Sequence, residues 1–171
     1  MIFQKEYKEI SLTQGKVAFV DAEDYAYLNQ FKWCAVYNGY NWYAVRNIPK
    51  NGKQTLVLMH REIMKPPKGM DTDHINGNGL DNRRCNLRVC NKSQNMMNRG
   101  KTKENTSGYK GVAWDKRAKK WKAHIRINSK LIYLGLFITK EEAALVYNKA
   151  SKEYFGEYAK LNEVNILHGR V

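Results

Sequence analysis

Apolar residues in this chain fall in short clusters separated by polar turns, and the period changes from cluster to cluster. Lys16–Val20 reads as a short strand, and Asp21–Leu28, opened by a cap-like Asp21 with Asp24 behind it, reads as a short helix. Tyr40–Arg46 and Gln54–Met59 are expected as strands joined at Asn51-Gly52, a favoured hairpin dipeptide. Trp33, Trp42 and Tyr43 are assigned to the core around them. His60–Met64 can begin a brief helix, which Pro66 and Pro67 must stop. From Met70 to Arg88 the density of Gly, Asn and Asp forces tight turns between short elements, and Asn91 with Gln94 offers a cap and its partner for a helix to Asn98. A β-β-α unit is the expected result.

Beyond a polar, glycine-containing stretch at 100–107, expected as a linker, the pattern predicts three strands and one helix. Tyr109–Trp114, Trp121–Ile127 and Ile132–Phe137 are rich in aromatic and β-branched residues, with turns at Asp115–Lys120 and Asn128–Lys130. Thr139 and Glu142 form a capping box, and Ala143, Tyr147, Ala150 and Tyr154 recur at helical spacing before Gly156. Alternation puts Lys122, His124 and Arg126 on one sheet face and Ala123, Ile125 and Ile127 on the other, so the apolar side takes the helix and the basic side faces outward.

Charge sharpens this picture. The 171 residues carry a formal net charge of +14, which points to a polyanionic partner. Ten Lys or Arg against two acids fall within 101–130, threaded with Tyr109, Trp114 and Trp121, a mixture suited to phosphates and bases. No apolar run reaches the roughly 18 to 20 residues of a membrane-spanning helix, and the N-terminus has no signal-peptide pattern, so the chain reads as cytoplasmic with no membrane partner. Three cysteines without a C-x-x-C pair indicate neither a disulfide framework nor a zinc site, and Cys85 and Cys90 are left as packing residues.

Candidate chemistry concentrates in Met70–Arg88. Asp73 and His74 are adjacent, so on a strand their side chains diverge and each can act separately on one phosphate. A histidine near neutral pH is a competent base for water, while a carboxylate and an Asn carbonyl suit Mg²⁺ or Mn²⁺. Asn95 on the expected helix can reach back toward Asp73. Asn86 is expected to tie the loop backbone, and Asn76, Asn78 and Asn82 are read as turn formers.

The run from Asp73-His74 through Asp81, Asn86-Leu87-Arg88 and Ser93-Gln94-Asn95 resembles the HNH endonucleases, in particular the homing endonucleases of phage introns and intergenic regions, and Met59-His60-Arg61 with Pro66-Pro67 matches their lead-in. The resemblance covers roughly residues 40 to 99. It implies Asp73 and Asn95 as ligands of one divalent ion, His74 as general base and Asn86 as the residue ordering the loop. It also implies Mg²⁺, replaceable by Mn²⁺, no structural zinc, and 5′-phosphate and 3′-hydroxyl products. Asn95 stands where the family's last name letter has His. His60, Arg61, Arg83, Arg84 and Arg88 are further candidates for phosphate contact or for support of the site.

Ser107–Val112, Trp121–Arg126, Tyr133–Phe137 and Glu141–Ala144 with Tyr147 resemble the APETALA2-type domain of plant ethylene-responsive factors, which also accompanies phage HNH nucleases. That resemblance implies a sheet placed in the DNA major groove, with contacts at Arg126, Tyr133 and His124. Trp114, Lys116, Lys119 and Lys120 occupy the first-turn region, where the family spacing is altered. Lys110, Lys122 and Lys130 are expected on phosphates, and Arg126 on base edges.

The expectation is therefore an α+β chain: an HNH unit at 1–99 with an N-terminal α+β extension, a linker at 100–107, a sheet module at 108–162 and a tail at 163–171. Its partner is duplex DNA, with no obligate protein partner and a monomer favoured over a dimer. Lys5, Lys8 and Lys16 are candidate DNA contacts in the N-terminal part, and His168 is expected to be uninvolved. A non-catalytic DNA-binding regulator and an RNA-binding protein are the competing readings.

Overall fold

A computed structural model describes residues 6–50 and 52–165, with only the backbone of residue 50. Lys5, Asn51 and His168 lie outside the described residues. The chain divides into two compact units, 1–95 and 96–171.

The first unit opens with an antiparallel pair, β1 (Tyr7–Ser11) and β2 (Val17–Asp21), followed at once by α1 (Ala22–Leu28). Asp21 sits at the N-cap as expected, but its side chain caps nothing. Its carboxylate instead accepts the backbone N–H of Arg84 at 2.9 Å. A meander of β3 (Cys34–Tyr37), β4 (Trp42–Lys50) and β5 (Lys53–Leu58) comes next, with Lys50 paired opposite Lys53 and Gly52 at φ +73 before β5. Then α2 (Met59–Met64) ends where Lys65 turns left-handed before the two prolines.

The β-β-α unit is made of β6 (Asp71–His74), its antiparallel partner β7 (Leu87–Cys90), and α3 (Lys92–Met97). The expected cap is present in reciprocal form. Gln94 N–H donates to Asn91 Oδ1 at 2.9 Å, and Asn91 N–H donates to Gln94 Oε1 at 2.8 Å. One core joins this unit to everything before it: Ile10, Ala18, Val20, Leu28, Trp33, Ala44, Met59, Ile63 and Leu87. Ile10, Ala18, Val20, Leu28 and Trp33 thus complete the hydrophobic interior behind β6 and β7. Trp33 is buried as expected, whereas Trp42 and Tyr43 are only half-buried, and Cys85, expected to pack, is exposed.

The second unit is a three-stranded antiparallel sheet, order β10-β9-β8, built from β8 (Val112–Asp115), β9 (Lys120–Ile127) and β10 (Lys130–Phe137), with α4 (Lys140–Phe155) against one face. Val112, Ala123 and Ile125 face Ala143, Ala144, Tyr147 and Ala150. Phe155 takes the last core position expected of Tyr154, which is 50% exposed, because the helix stripe drifts past that residue in its final turn. The Thr139–Glu142 capping box forms in full, and Asn128 and Ser129, both at positive φ, close the β9–β10 hairpin so that Lys130 belongs to the strand. Part of the expected linker is bound into this unit: buried Ser107 donates through Oγ to Val112 O at 2.8 Å, and Asn105 Nδ2 donates to Tyr109 O at 2.8 Å. The architecture is α+β in both units.

Candidate active site

Strand alternation on β6 sends Asp71 and Asp73 to one face and Thr72 and His74 to the other. Across the ladder Asp73 lies opposite Arg88. The guanidinium donates to Asp73 Oδ2 from Nε at 3.0 Å and from Nη2 at 2.8 Å, in a largely buried pair. Asn95 on α3 comes to the same side, but its amide donates to Asp71 Oδ2 at 3.4 Å. Arg61 on α2 reaches Asp71 Oδ1 at 3.5 Å and also donates to Met70 O. Asp71, which the sequence reading passed over, is therefore the carboxylate that gathers Asn95 and Arg61. Its signal was present, since it stands two residues before Asp73 on a strand.

His74 occupies the opposite side, 5% exposed, in an aromatic enclosure. Its ring lies edge-on to His60 with centroids 4.7 Å apart, and Tyr43 lies 5.9 Å from His74 and 5.7 Å from His60. Nε2 of His74 meets Asn82 Oδ1 at 3.3 Å. Burial lowers the His74 pKa, opposed by the Asn82 contact and by the charges of Asp73 and Asp81. Burial together with the charges of His74 and Arg61 takes His60 down to about 3, and its Nδ1 has no hydrogen-bond partner. Both rings are therefore neutral near pH 7, the form in which an imidazole accepts a proton.

Between the two strands the loop 75–86 is tied by its own amides. Asn86 Oδ1 accepts the N–H of Asn76 at 2.9 Å and its Nδ2 donates to Asp81 O at 2.8 Å. Asn76 and Asn78 close local turns, accepting from the N–H groups of Asn78 and Leu80. Asn82 keeps its expected turn role, donating from Nδ2 to Leu80 O at 3.1 Å, and beyond that it is fully buried and faces the histidine. The loop is also pinned to β2, where Phe19 N–H donates to Leu80 O at 2.9 Å and Asn82 N–H donates to Phe19 O at 2.8 Å.

The remaining arginine candidates already hold carboxylates. Arg83 grips Asp81 at 2.7 and 2.8 Å, which depresses the Asp81 pKa. Arg84 grips Asp24 at 2.8 and 2.7 Å and approaches Glu23 at 3.3 Å. Asp21, Glu23 and Asp24 form the one acidic group among the described residues whose ligand atoms lie within 4.8 Å of one another, a spacing that suits a divalent ion. Arg84 supplies positive charge at that same group. For the expected ion at Asp73 and Asn95, the donors suit a hard cation, because a carboxylate and an amide carbonyl are oxygen ligands and the Asn95 amide nitrogen is turned to Asp71.

On the second unit, Lys122, His124 and Arg126 share the sheet face away from α4, with exposed Tyr133 paired opposite His124. Lys122 approaches Asp115 at 3.8 Å, and Arg126 Nη1 donates to Ser129 O at 3.1 Å. Lys116, Lys119, Lys120 and Lys130 are exposed around it. Trp114 shares the alternation of Val112 and packs edge-on to Trp121 at 5.1 Å, with 45% of its surface exposed. Lys110, expected on a phosphate, donates from Nζ to Met97 O at 2.6 Å, and burial pushes its pKa down to about 8.

Residues 65–97, which contain the whole β-β-α unit, match the family described as HNH endonuclease. The chain is 28% identical over 158 residues to an uncharacterized HNH endonuclease, L560, of Acanthamoeba polyphaga mimivirus, covering 89% of this chain and 78% of that protein. It is 33% identical over 94 residues to Protein 3.8 of Escherichia phage T7, covering 55% of this chain and 77% of that protein. No solved structure matches. The family segment coincides with the strands and helix that carry Asp73, His74 and Asn95, and it marks an HNH-type nuclease domain in the N-terminal part of the chain.

Proposed function

We propose that this nuclease is a homing-type DNA endonuclease that hydrolyses phosphodiester bonds in duplex DNA at a preferred site. The observation that carries the reading is β6 itself: it sends Asp73 toward the face that receives Asn95 and sends His74 to the opposite face, into an enclosure that keeps the ring neutral. His74 takes a proton from water as the water oxygen attacks phosphorus. The bond from phosphorus to O3′ then breaks, O3′ collects a proton from solvent, and the ends are a 5′-phosphate and a 3′-hydroxyl. Asp73 and Asn95 are the residues that would hold one Mg²⁺, with Mn²⁺ as substitute; such an ion supplies charge neutralisation at the phosphate and the departing oxygen. Arg88 fixes the Asp73 carboxylate through Oδ2. Asn86 holds the loop between the two strands in shape.

The sheet module supplies placement. Its outward face carries Lys122, His124, Arg126 and Tyr133, the arrangement expected of an APETALA2-type domain, with Arg126 toward guanine edges and the lysines toward phosphates. Two DNA-contacting units on one chain raise each other's effective concentration.

The test is cleavage of DNA carrying candidate sites, with Mg²⁺ and with a chelator, by the wild type and by His74→Ala. Magnesium-dependent cutting that His74→Ala abolishes, while gel-shift affinity for duplex DNA persists, is the expected result. Binding without any metal-dependent cutting would favour a non-catalytic regulator, and a preference for structured RNA in competition would favour the RNA-binding reading.

A further inference from the structure

We propose that Asn82 is a positioning residue that decides which ring nitrogen of His74 carries the proton, making Nδ1 the atom that receives the proton from water. This deepens the nuclease reading and rests on it for its chemistry, while the tautomer itself is a property of the free protein.

The Asn82 amide has a single orientation that leaves its neighbours satisfied. Its Nδ2 donates to Leu80 O at 3.1 Å, and its backbone N–H donates to Phe19 O at 2.8 Å. Rotating the amide by half a turn would bring Oδ1 against the Leu80 carbonyl oxygen, leaving two acceptors facing each other in a residue with 0% exposure. The amide is therefore locked with Oδ1 toward His74. An amide oxygen only accepts, so the nitrogen 3.3 Å from it, Nε2, must be the N–H of the neutral ring. A neutral imidazole has one N–H and one lone pair, and the lone pair then belongs to Nδ1.

The lock is built from distant parts of the chain. Leu80 O, which accepts from Asn82, also accepts the N–H of Phe19, so β2 holds both ends of the Leu80–Asn82 turn. Asp81, between them, is clasped by Arg83 and by Asn76 Nδ2, which keeps the turn from rotating. The ring plane is set independently by the edge-on contact with His60 and by Tyr43. Asn82 needs only to choose the tautomer. A wrong tautomer in an otherwise intact site is costly: the comparable defect in a serine protease triad lowers turnover about 10⁴-fold.

The experiment is ¹⁵N-edited NMR of the histidines in the full-length wild-type chain at mildly alkaline pH, with His74 assigned by its loss in His74→Ala. The expected spectrum has Nε2 of His74 as the protonated, pyrrole-like nitrogen and Nδ1 as the pyridine-like one. The reverse pattern, averaging between tautomers, or a ring protonated on both nitrogens overturns the proposal. Asn82→Leu, which keeps the volume and loses the acceptor, is expected to mix the tautomers and to lower kcat on the order of 10²-fold with KM little changed. Unchanged turnover in Asn82→Leu, with melting behaviour like the wild type, also overturns it. A wild type that cuts no DNA would remove the nuclease reading but leave the wild-type spectrum to decide the tautomer, so the two failures are distinguishable.

Discussion

A buried neutral histidine is a pH-dependent element of stability, and His60 is the clearest one in this chain. In the unfolded chain its ring takes a proton as the pH falls through its ordinary value of 6.5, while in the folded chain burial and the neighbouring His74 and Arg61 delay that to about 3. The unfolded state therefore binds more protons throughout that window. Stability is complete above the ordinary value and declines as the pH falls toward the folded one, by about 1.4 kcal/mol per pH unit at most for this one group. Urea unfolding of the wild type against His60→Gln at a series of acidic pH values should show a shallower decline in the variant; parallel curves would mean that the His60 ring is already charged when folded. A second residue-scale expectation concerns Arg88. Its pair with Asp73 is largely buried, so Arg88→Met takes the guanidinium from a buried carboxylate and should lower unfolding free energy by about 3 kcal/mol. Asp73→Asn in the same background should recover part of that loss, because the buried negative charge is gone. The positions of Asp73 and His74 were readable from their order on a strand. The partners of these two were not, because Arg88 and Asn82 acquire their roles only when β7 and the loop fold back onto β6.

At the scale of elements, the loop 75–86 between β6 and β7 depends on a close approach to β4. A side chain at Gly79 would meet Trp42 O at 2.3 Å and the Tyr43 ring at 2.8 Å, and Tyr43 is the ring that packs on both His60 and His74. Gly79→Ala should push Tyr43 away from the histidines and reduce cleavage more than it reduces DNA affinity, measured by turnover and gel shift on the same duplex. Elements with a strong local signature were legible in the sequence: the Asn91–Gln94 and Thr139–Glu142 caps, the Gly52 turn and the alternation of β9 all follow from nearest neighbours. β1 and β3 were not anticipated. β1 buries only Ile10 of its five residues, and β3 buries only Ala35, so neither shows the apolar alternation that marks a strand. Their order comes from pairing with β2 and β4, a long-range cause that a local pattern does not carry. Two residues of the expected linker are held for a related reason: Asn105 and Ser107 look like turn residues, and what binds them is a set of backbone carbonyls beyond them in the sequence.

For the molecule as a whole, a net charge of +14 makes salt the controlling variable of the proposed DNA binding, and the structure separates basic residues that can contribute from those already engaged. Arg83, Arg84 and Arg88 hold carboxylates, and Lys110 holds the carbonyl of Met97, whereas Lys116, Lys119, Lys120 and Lys130 are exposed around the sheet face that bears Lys122 and Arg126. Each lysine or arginine that neutralises a phosphate releases about one counterion, so its removal lowers the slope of log affinity against log salt by about 1. Lys122→Ala and Lys130→Ala should each flatten that slope for specific and nonspecific duplexes alike. Arg126→Ala should in addition narrow the difference between the two duplexes, as expected when a base contact is lost. Lys110→Met should leave the slope unchanged and lower the melting temperature instead, since the Met97 carbonyl loses a donor worth about 1 kcal/mol. Equilibrium binding titrations over a salt series, paired with melting curves of the same proteins, distinguish the two behaviours. A flattened slope in Lys110→Met would mean that its ammonium leaves Met97 to reach DNA, and unchanged slopes in both Lys122→Ala and Lys130→Ala would move the DNA contact to another surface of the chain.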